Sequence, residues 1–457
     1  MALTPVLHRL ATLAILVTYI AASPSLARDA VADWTITADR LGHGNANWRT
    51  LAIMHQAMHD AVNAAEPTYA RWHPADANEP QVTSGLPRKV VAMAALAAAA
   101  RRVLILLHPD DRNEIERTYA RALARTPDGP AEDAGVALGE VIGKSAVRRR
   151  TNDGFGQVHL FPTSPERGGW QLAPKEFRNS STTDIGPFLF SSAAEVPAPP
   201  PFAATDPRLR AELEQVRDIG GLQSALRTPL QSEAASYWYF QSSQRGFVYL
   251  GLALLEARAA SLSLATEARI MSQLVTAMAD SAILIWWEKE HFLSWRPVTA
   301  IHEEIPGVAS DPDWMPMIET PPHPEYPSGH ASDCFTGAMV LQATFPNLAG
   351  PVSYVAQPGR PPEGITMGMG QHSKLADSGI RAKRTYQNLA AMAEDRAESR
   401  IWAGAHFRAA VTEAKRVAQL ISHRALAAVP SAPKAGRADR GLEQPKQRGE
   451  AITKRSS

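Results

Sequence analysis

TEARIMSQLVTAMADSAILIWWEKEHFLSWRP, residues 266–297, carries the strongest helical pattern in the chain. From Thr266 to Glu290 the residues Ile270, Leu274, Ala277, Ser281 and Ile285 recur three or four apart, which places them on one face of a helix. Similar spacing extends to both sides. Upstream, Leu51, Met54, Met58 and Val62 mark a helix from Trp48 to Ala64, and an Ala/Leu-rich helix runs from Val90 to Leu107 with Pro109 as its stop. Further helices are predicted at Glu114–Ala124, Ala134–Val147, 208–217 and 229–259, and downstream at about 328–345, 383–398 and 407–427. β-branched alternating runs bounded by turns are nearly absent. The expected fold class is all-α, one or more helical bundles joined by long Pro/Gly-rich loops.

The loops are themselves distinctive. Residues 151–207 contain Gly154-Phe155-Gly156, Gly168-Gly169-Trp170 and the run Pro197-Ala198-Pro199-Pro200-Pro201, and irregular stretches recur at 306–327 and 350–370. A loop as long as 151–207 in a compact protein is either functional or wraps a surface. Gly139, Gly143, Lys144 and Ser145 suggest a phosphate loop, but the spacing is one residue short and no strand precedes it, so the pattern is set aside.

With 45% hydrophobic and 20% charged residues the chain can bury a large core, and its formal charge of +1 gives no sign of a nucleic-acid-binding stripe. A single cysteine, Cys334, rules out an intramolecular disulfide and a Cys-based zinc cage, and reads as a packed helix residue. Residues 1–27 read as a signal peptide, with His8 and Arg9 before an apolar stretch from Leu10 to Ala22 and a small-x-small site at Ser25-Leu26-Ala27. The expected mature protein begins near Arg28, is periplasmic or secreted, and has no stable membrane span. Its expected parts are an N-terminal helical region at 28–207, a C-terminal bundle at 208–425 and a disordered basic tail at 426–457. That tail holds seven basic and three acidic residues, so the body beneath the neutral total is mildly acidic.

Three clusters in the C-terminal half carry chemistry. Lys289 precedes Arg296-Pro297 by seven residues, which on a continuous helix ending at Pro297 would leave both cations on nearly one face. Two stacked cations repel unless an anion lies between them; taken alone, the pair also reads as a solvated basic face. Pro327-Ser328-Gly329-His330 opens a helix: Ser328 is a good N-cap, Gly329 allows close backbone approach, and the free N–H groups favour an anion beside His330. By itself this is equally a capping serine and a surface histidine. Finally Arg400 and His406, in Ser399-Arg400-x5-His406, would lie about 120° apart on a straight helix, so their convergence requires a break, for which Gly404 is placed. Arg400 can grip oxyanion oxygens in its planar fork, and a neutral His406 can attack phosphorus or ligate a metal oxide.

In this order, Lys289-x6-Arg296-Pro297, Pro327-Ser328-Gly329-His330 and Ser399-Arg400-x5-His406 resemble the three signature motifs of the vanadium-dependent haloperoxidases and type 2 phosphatidic acid phosphatases. The motifs span about a quarter of the chain. Met58-His59-Asp60-Ala61-Val62 also looks like exported bacterial haloperoxidase-type members, less diagnostically. The resemblance implies a helical bundle in which Lys289, Arg296, Ser328, Gly329 and Arg400 hydrogen-bond vanadate or phosphate, His406 is the vanadium ligand or phosphorylated nucleophile, and His330 is the acid/base. For a peroxidase it implies vanadate as cofactor and hydrogen peroxide and halide as substrates. For a phosphatase it implies a small phosphate ester and a phosphohistidine.

Trp295 and the exported format without transmembrane helices look more like the haloperoxidases. His323, seven residues before His330, resembles the extra histidine of bromoperoxidases, which places bromide ahead of chloride; a loop histidine without a role is the other reading. One departure stands out. The family pattern often has an acidic residue four after the last histidine, to orient its second ring nitrogen, and here that position is Ala410; Glu413 is two turns away. A soluble acid phosphatase remains an alternative because vanadate and phosphate are near-isosteric and the motifs serve both, and Ala410 keeps open a non-catalytic oxyanion-binding helical protein; oligomeric state is open.

Overall fold

A computed structural model describes residues 30–42, 47–164, 166–171, 178–180, 182–240, 247–355 and 383–429. The expected signal peptide, most of the 350–370 stretch and all but the first residues of the expected tail lie outside these. The helices are α1 (Ala30–Leu41), α2 (Asn47–Ala65), α3 (Arg88–Leu107), α4 (Arg112–Leu123), α5 (Pro130–Arg149), α6 (Pro207–Gly220), α7 (Pro229–Phe240), α8 (Phe247–Ala259) and α9 (Leu264–Phe292). Then follow α10 (Pro297–His302), α11 (Gly329–Thr344), α12 (Leu389–Trp402) and α13 (Arg408–Ala427). Two antiparallel ribbons complete the set: β1 (Val158–Leu160) pairs Val158 with Ser180 of β2 (Arg178–Ser180), and β3 (Val352–Val355) pairs Val352 with Tyr386 of β4 (Lys383–Tyr386). The protein is predominantly helical, as its periodicity predicts.

α9 is the axis of the packing. Ser263 caps it by accepting from Thr266 N, and it is buried along most of its length between α2 on one side and α11 and α13 on the other. α11 in turn packs on α12 and α13. One continuous apolar core draws on both halves of the chain, from Trp34 on α1 to Ile421 on α13. The glycines that suggested a phosphate loop prove to be packing devices on α5. A Cβ on Gly139 would lie 2.2 Å from the Ala95 carbonyl oxygen, so Gly135, Gly139 and Gly143 let α5 settle against the alanine-rich α3. The thiol of Cys334 is buried and donates to the Ala331 and Ala393 carbonyls, as a packed helix residue should.

Several expectations need correction. α9 ends at Phe292, where Leu293 takes a left-handed conformation (φ 45°), and Arg296 is the extended N-cap of α10 with Pro297 as its first residue. Lys289 and Arg296 therefore do not share a helix face, and Pro297 opens a helix instead of closing one, the position where its missing N–H costs nothing. The predicted helix at 383–398 is β4 followed by α12, which starts after the Asn388 cap. Within 229–259 the described residues are helical, as α7 and α8, and 241–246 lie outside them. The C-terminal helix runs to Ala427, slightly past the expected start of the tail. Among the described residues α3 and α9 have the length and hydropathy of a membrane span, but both carry charged residues, and 67% and 94% of their apolar windows are buried within the protein, as in core helices.

Candidate oxyanion site

The site forms where the end of α9, the start of α11 and the α12–α13 corner meet. Lys289 and Arg400 occupy the last turns of α9 and α12, Arg296 caps α10, and Ser328 caps α11 by accepting from Ala331 N at 3.4 Å. The corner after α12 turns at Gly404 (φ +75°), as the spacing of Arg400 and His406 demanded. Its glycine is required twice, because a Cβ there would also lie 2.6 Å from the Gly220 carbonyl oxygen. Lys289, Arg296, Ser328, Arg400 and His406 are all 0–2% exposed, whereas His323, Gly329 and His330 are partly exposed and form the open side.

The segment 323–328 is held from several directions. Lys289 Nζ donates to the carbonyls of Pro324 (2.7 Å) and Glu325 (2.8 Å), leaving, among the described residues, one of its three N–H groups for a ligand. Arg296 Nε donates to the His323 carbonyl (2.9 Å), and its Nη1 donates to the Ala405 carbonyl (2.8 Å) and lies 3.2 Å from His406 Nε2. Arg296 Nη2 lies 3.0 Å from His323 Nδ1. A guanidinium can only donate, so that nitrogen is the acceptor, and its 3.1 Å approach to the Pro324 carbonyl is a contact without a proton. Ser328 N donates to the Ala410 carbonyl (3.1 Å), and the Ala410 side chain packs with Tyr326 and Ala198. The position where the family pattern often has a carboxylate is thus filled by apolar packing.

The carboxylate that touches His406 is Glu325. Its Oε1 lies 2.8 Å from His406 Nδ1 and accepts the Phe407 backbone N–H at 3.0 Å. The sequence reading missed it, searching the helix after His406 while the partner lies 81 positions earlier. Its only local signal is a lone carboxylate in the proline-bounded segment Pro324-Glu325-Tyr326-Pro327. Glu413 pairs with Arg416 instead. His59 and Asp60 lie elsewhere: Asp60 accepts from Trp72 N and His73 N, so this pair ties down the loop after α2.

Electrostatically the site is an excess of buried positive charge. Burial, and then Arg296, pushes Lys289 well below the usual lysine range, and burial lowers Arg296 to about 10. Burial and then the charges of Arg296, Lys289 and Arg400 hold His406 neutral. Burial pushes the Glu325 carboxyl upward, against Arg296 and Lys289. Three buried cations beside one fully buried carboxylate are costly without a further anion.

The residues fit an oxyanion. They offer N–H and O–H donors, a helix N-terminus and one imidazole lone pair, and among the described residues no group of three or more His, Cys, Asp or Glu is arranged for a metal cation. Gly329 adds a second indication. A Cβ there would meet only Ile285 Cγ2, at 3.7 Å, so the protein's own packing does not require glycine, while close approach of a ligand to the backbone does. Vanadate, held through His406 and these donors, is compatible with that set.

Residues 269–433 match the family model of the VCPO second helical-bundle domain. A vanadium chloroperoxidase of Curvularia inaequalis is 27% identical over 174 residues, 30% of this chain and 28% of that relative's length. Among solved structures, a bacterial vanadium-dependent iodoperoxidase superposes with a TM-score of 0.66 at 19% identity, covering 88% of this chain and 95% of the other. A holo-type bacterial vanadium-dependent chloroperoxidase gives 0.62 at 17%, covering 89% and 94%. Over residues 269–433 the chain is thus similar in sequence to the vanadium chloroperoxidases, and its fold is that of the bacterial vanadium-dependent haloperoxidases.

Proposed function

We propose that the protein is a vanadate-dependent haloperoxidase that oxidises halide with hydrogen peroxide. The observation that carries this reading is the neutral His406, its Nε2 turned toward Arg296 among three buried cations. In this assignment His406 Nε2 is the vanadium ligand, and Lys289, Arg296, Arg400, the Ser328 hydroxyl and the Gly329 N–H bind the vanadate oxygens. Vanadate, when bound, supplies the electrophilic centre at which peroxide is activated. The cations neutralise charge on the bound oxygens, and burial keeps competing water away. His330, on the open side at the α11 N-terminus, gives or takes the proton of incoming peroxide. His323, with its ring centroid 4.9 Å from that of Trp286, stands at the same opening and favours bromide over chloride. Residues 208–425 would form the site-bearing bundle and 28–207 its support, in a protein exported to the periplasm or beyond.

The test is purified protein freed of vanadate, then assayed with and without it for peroxide-dependent oxidation of iodide, bromide and chloride, alongside phosphate-ester hydrolysis. Vanadate-dependent bromide oxidation, lost in His406→Ala, is the expected result. Hydrolysis without halide oxidation at saturating vanadate would replace this reading with the phosphatase one. Neither activity, with vanadate bound, would leave an oxyanion-binding protein.

A further inference from the structure

We propose that Glu325 is the positioning residue of this site: it holds His406 as the Nδ1–H tautomer and so presents the Nε2 lone pair to the oxyanion, the task a carboxylate at position 410 would otherwise perform. The proposal rests on the assignment of His406 as the residue that contacts the oxyanion.

Two independent contacts fix the tautomer. Arg296 Nη1 lies 3.2 Å from His406 Nε2 and has only protons to offer, so Nε2 is the acceptor. A neutral imidazole then carries its one proton on Nδ1, which donates to Glu325 Oε1 at 2.8 Å. The same oxygen accepts the Phe407 N–H, one residue beyond His406, so Glu325 holds both the ring and the backbone that carries it. A partner on the outer nitrogen sets ring orientation and raises the basicity of the inner one.

Glu325 is itself held. Its N–H donates to the Ser294 carbonyl (3.0 Å) and its carbonyl accepts from Lys289, while Arg296 grips the neighbouring His323 carbonyl. Lys289 and Arg296 thus have a second task, clamping the segment that carries the carboxylate. Segment 323–330 supplies both the outer partner of His406 and the donors at the start of α11, which couples the two sides of the site through one short stretch of backbone. At position 410 the alanine side chain is fully buried and packs with Tyr326 and Ala198, so that position offers His406 no polar partner.

The experiment compares wild type, Glu325→Gln, Glu325→Ala and His406→Ala. Vanadate binding is measured by calorimetry, and the His406 tautomer by nitrogen NMR of histidine-labelled protein, with the signal assigned from its loss in His406→Ala. The expected result is an Nδ1–H tautomer in wild type and vanadate affinity weakened about 10–100-fold in Glu325→Ala. Glu325→Gln keeps an acceptor oxygen of the same shape, so it should retain the tautomer and lose less affinity; it also carries the test if the alanine variant does not fold. Unchanged affinity in a folded Glu325→Ala, or a proton on Nε2 in wild type, overturns the proposal. Wild-type protein that binds no vanadate, yet shows the Nδ1–H tautomer and loses it in Glu325→Ala, removes the peroxidase reading and supports Glu325 as the positioning residue.

Discussion

Gly329 separates the needs of the fold from those of the ligand. Its φ is not in the left-handed region, and a methyl group would make only ordinary contact with Ile285, so Gly329→Ala should fold with unchanged thermal stability. An oxyanion drawn up to the α11 N-terminus would meet that methyl group, and vanadate should bind at least about tenfold more weakly, a loss of ~1.4 kcal/mol. Calorimetry beside a melting curve checks both halves, and equal affinity in the two proteins would take the ligand away from α11. At this scale the sequence was legible wherever chemistry follows from a local pattern. Ser328, Gly329 and His330 are adjacent, and the convergence of Arg400 with His406 needed only a turn, which Gly404 marks. Glu325 was not legible, because its contact with His406 is made by the packing of two distant loops.

At the scale of elements, long helices with a clear apolar face were read correctly from periodicity, while short ones set by a tertiary contact were not. α10 has six residues, too few for a pattern, and the polar run Lys383-Arg384-Thr385 before Tyr386 becomes strand only by pairing with β3. α1 is another case: apolar Val31, Trp34 and Ala38 are buried in it, but polar contacts also dock it. Thr35 Oγ1 donates to the Val31 carbonyl, so it accepts from His55 Nε2 of α2 at 3.2 Å. His55 is fully buried and its other ring nitrogen has no partner among the described residues. Burial lowers its pKa from 6.5 to about 3. Since the folded value lies below the unfolded one, this residue's contribution is complete above pH 6.5 and is lost as pH falls toward 3, at ~1.4 kcal/mol per pH unit. In His55→Gln, which keeps a donor to Thr35, the melting temperature should fall less between pH 6.5 and 4 than in wild type. Parallel profiles would exclude His55 as an acid-sensitive joint between α1 and α2.

Across the whole molecule, the long connection between the two halves is a strap over the site's supports. Trp170 N donates to the Leu293 carbonyl and Trp295 N to that of Gly168, so the strap pairs with the chain between α9 and α10. Further on, Ala198 N donates to Glu288 of α9, and Tyr326, next to Glu325, donates to the Pro199 carbonyl. Its anchor is Asp280 in the middle of α9, fully buried, with one carboxylate oxygen accepting Phe188 N and the other Leu189 N, each at 2.7 Å. The sequence showed that a loop of this length must wrap something; the surface it wraps is set by these tertiary bonds. Asp280→Asn replaces one acceptor by an NH2 group that faces an N–H, leaving a buried donor unsatisfied at a cost of about 1–3 kcal/mol. The loss should be local before it is global. Amide exchange in residues 182–201 should accelerate and proteases should cut there earlier, while α3 keeps its protection. Because the strap holds Tyr326 and the end of α9 in place, vanadate affinity should fall although Asp280 touches no part of the site. Faster exchange with unchanged affinity would show that the strap covers the bundle without supporting its oxyanion site.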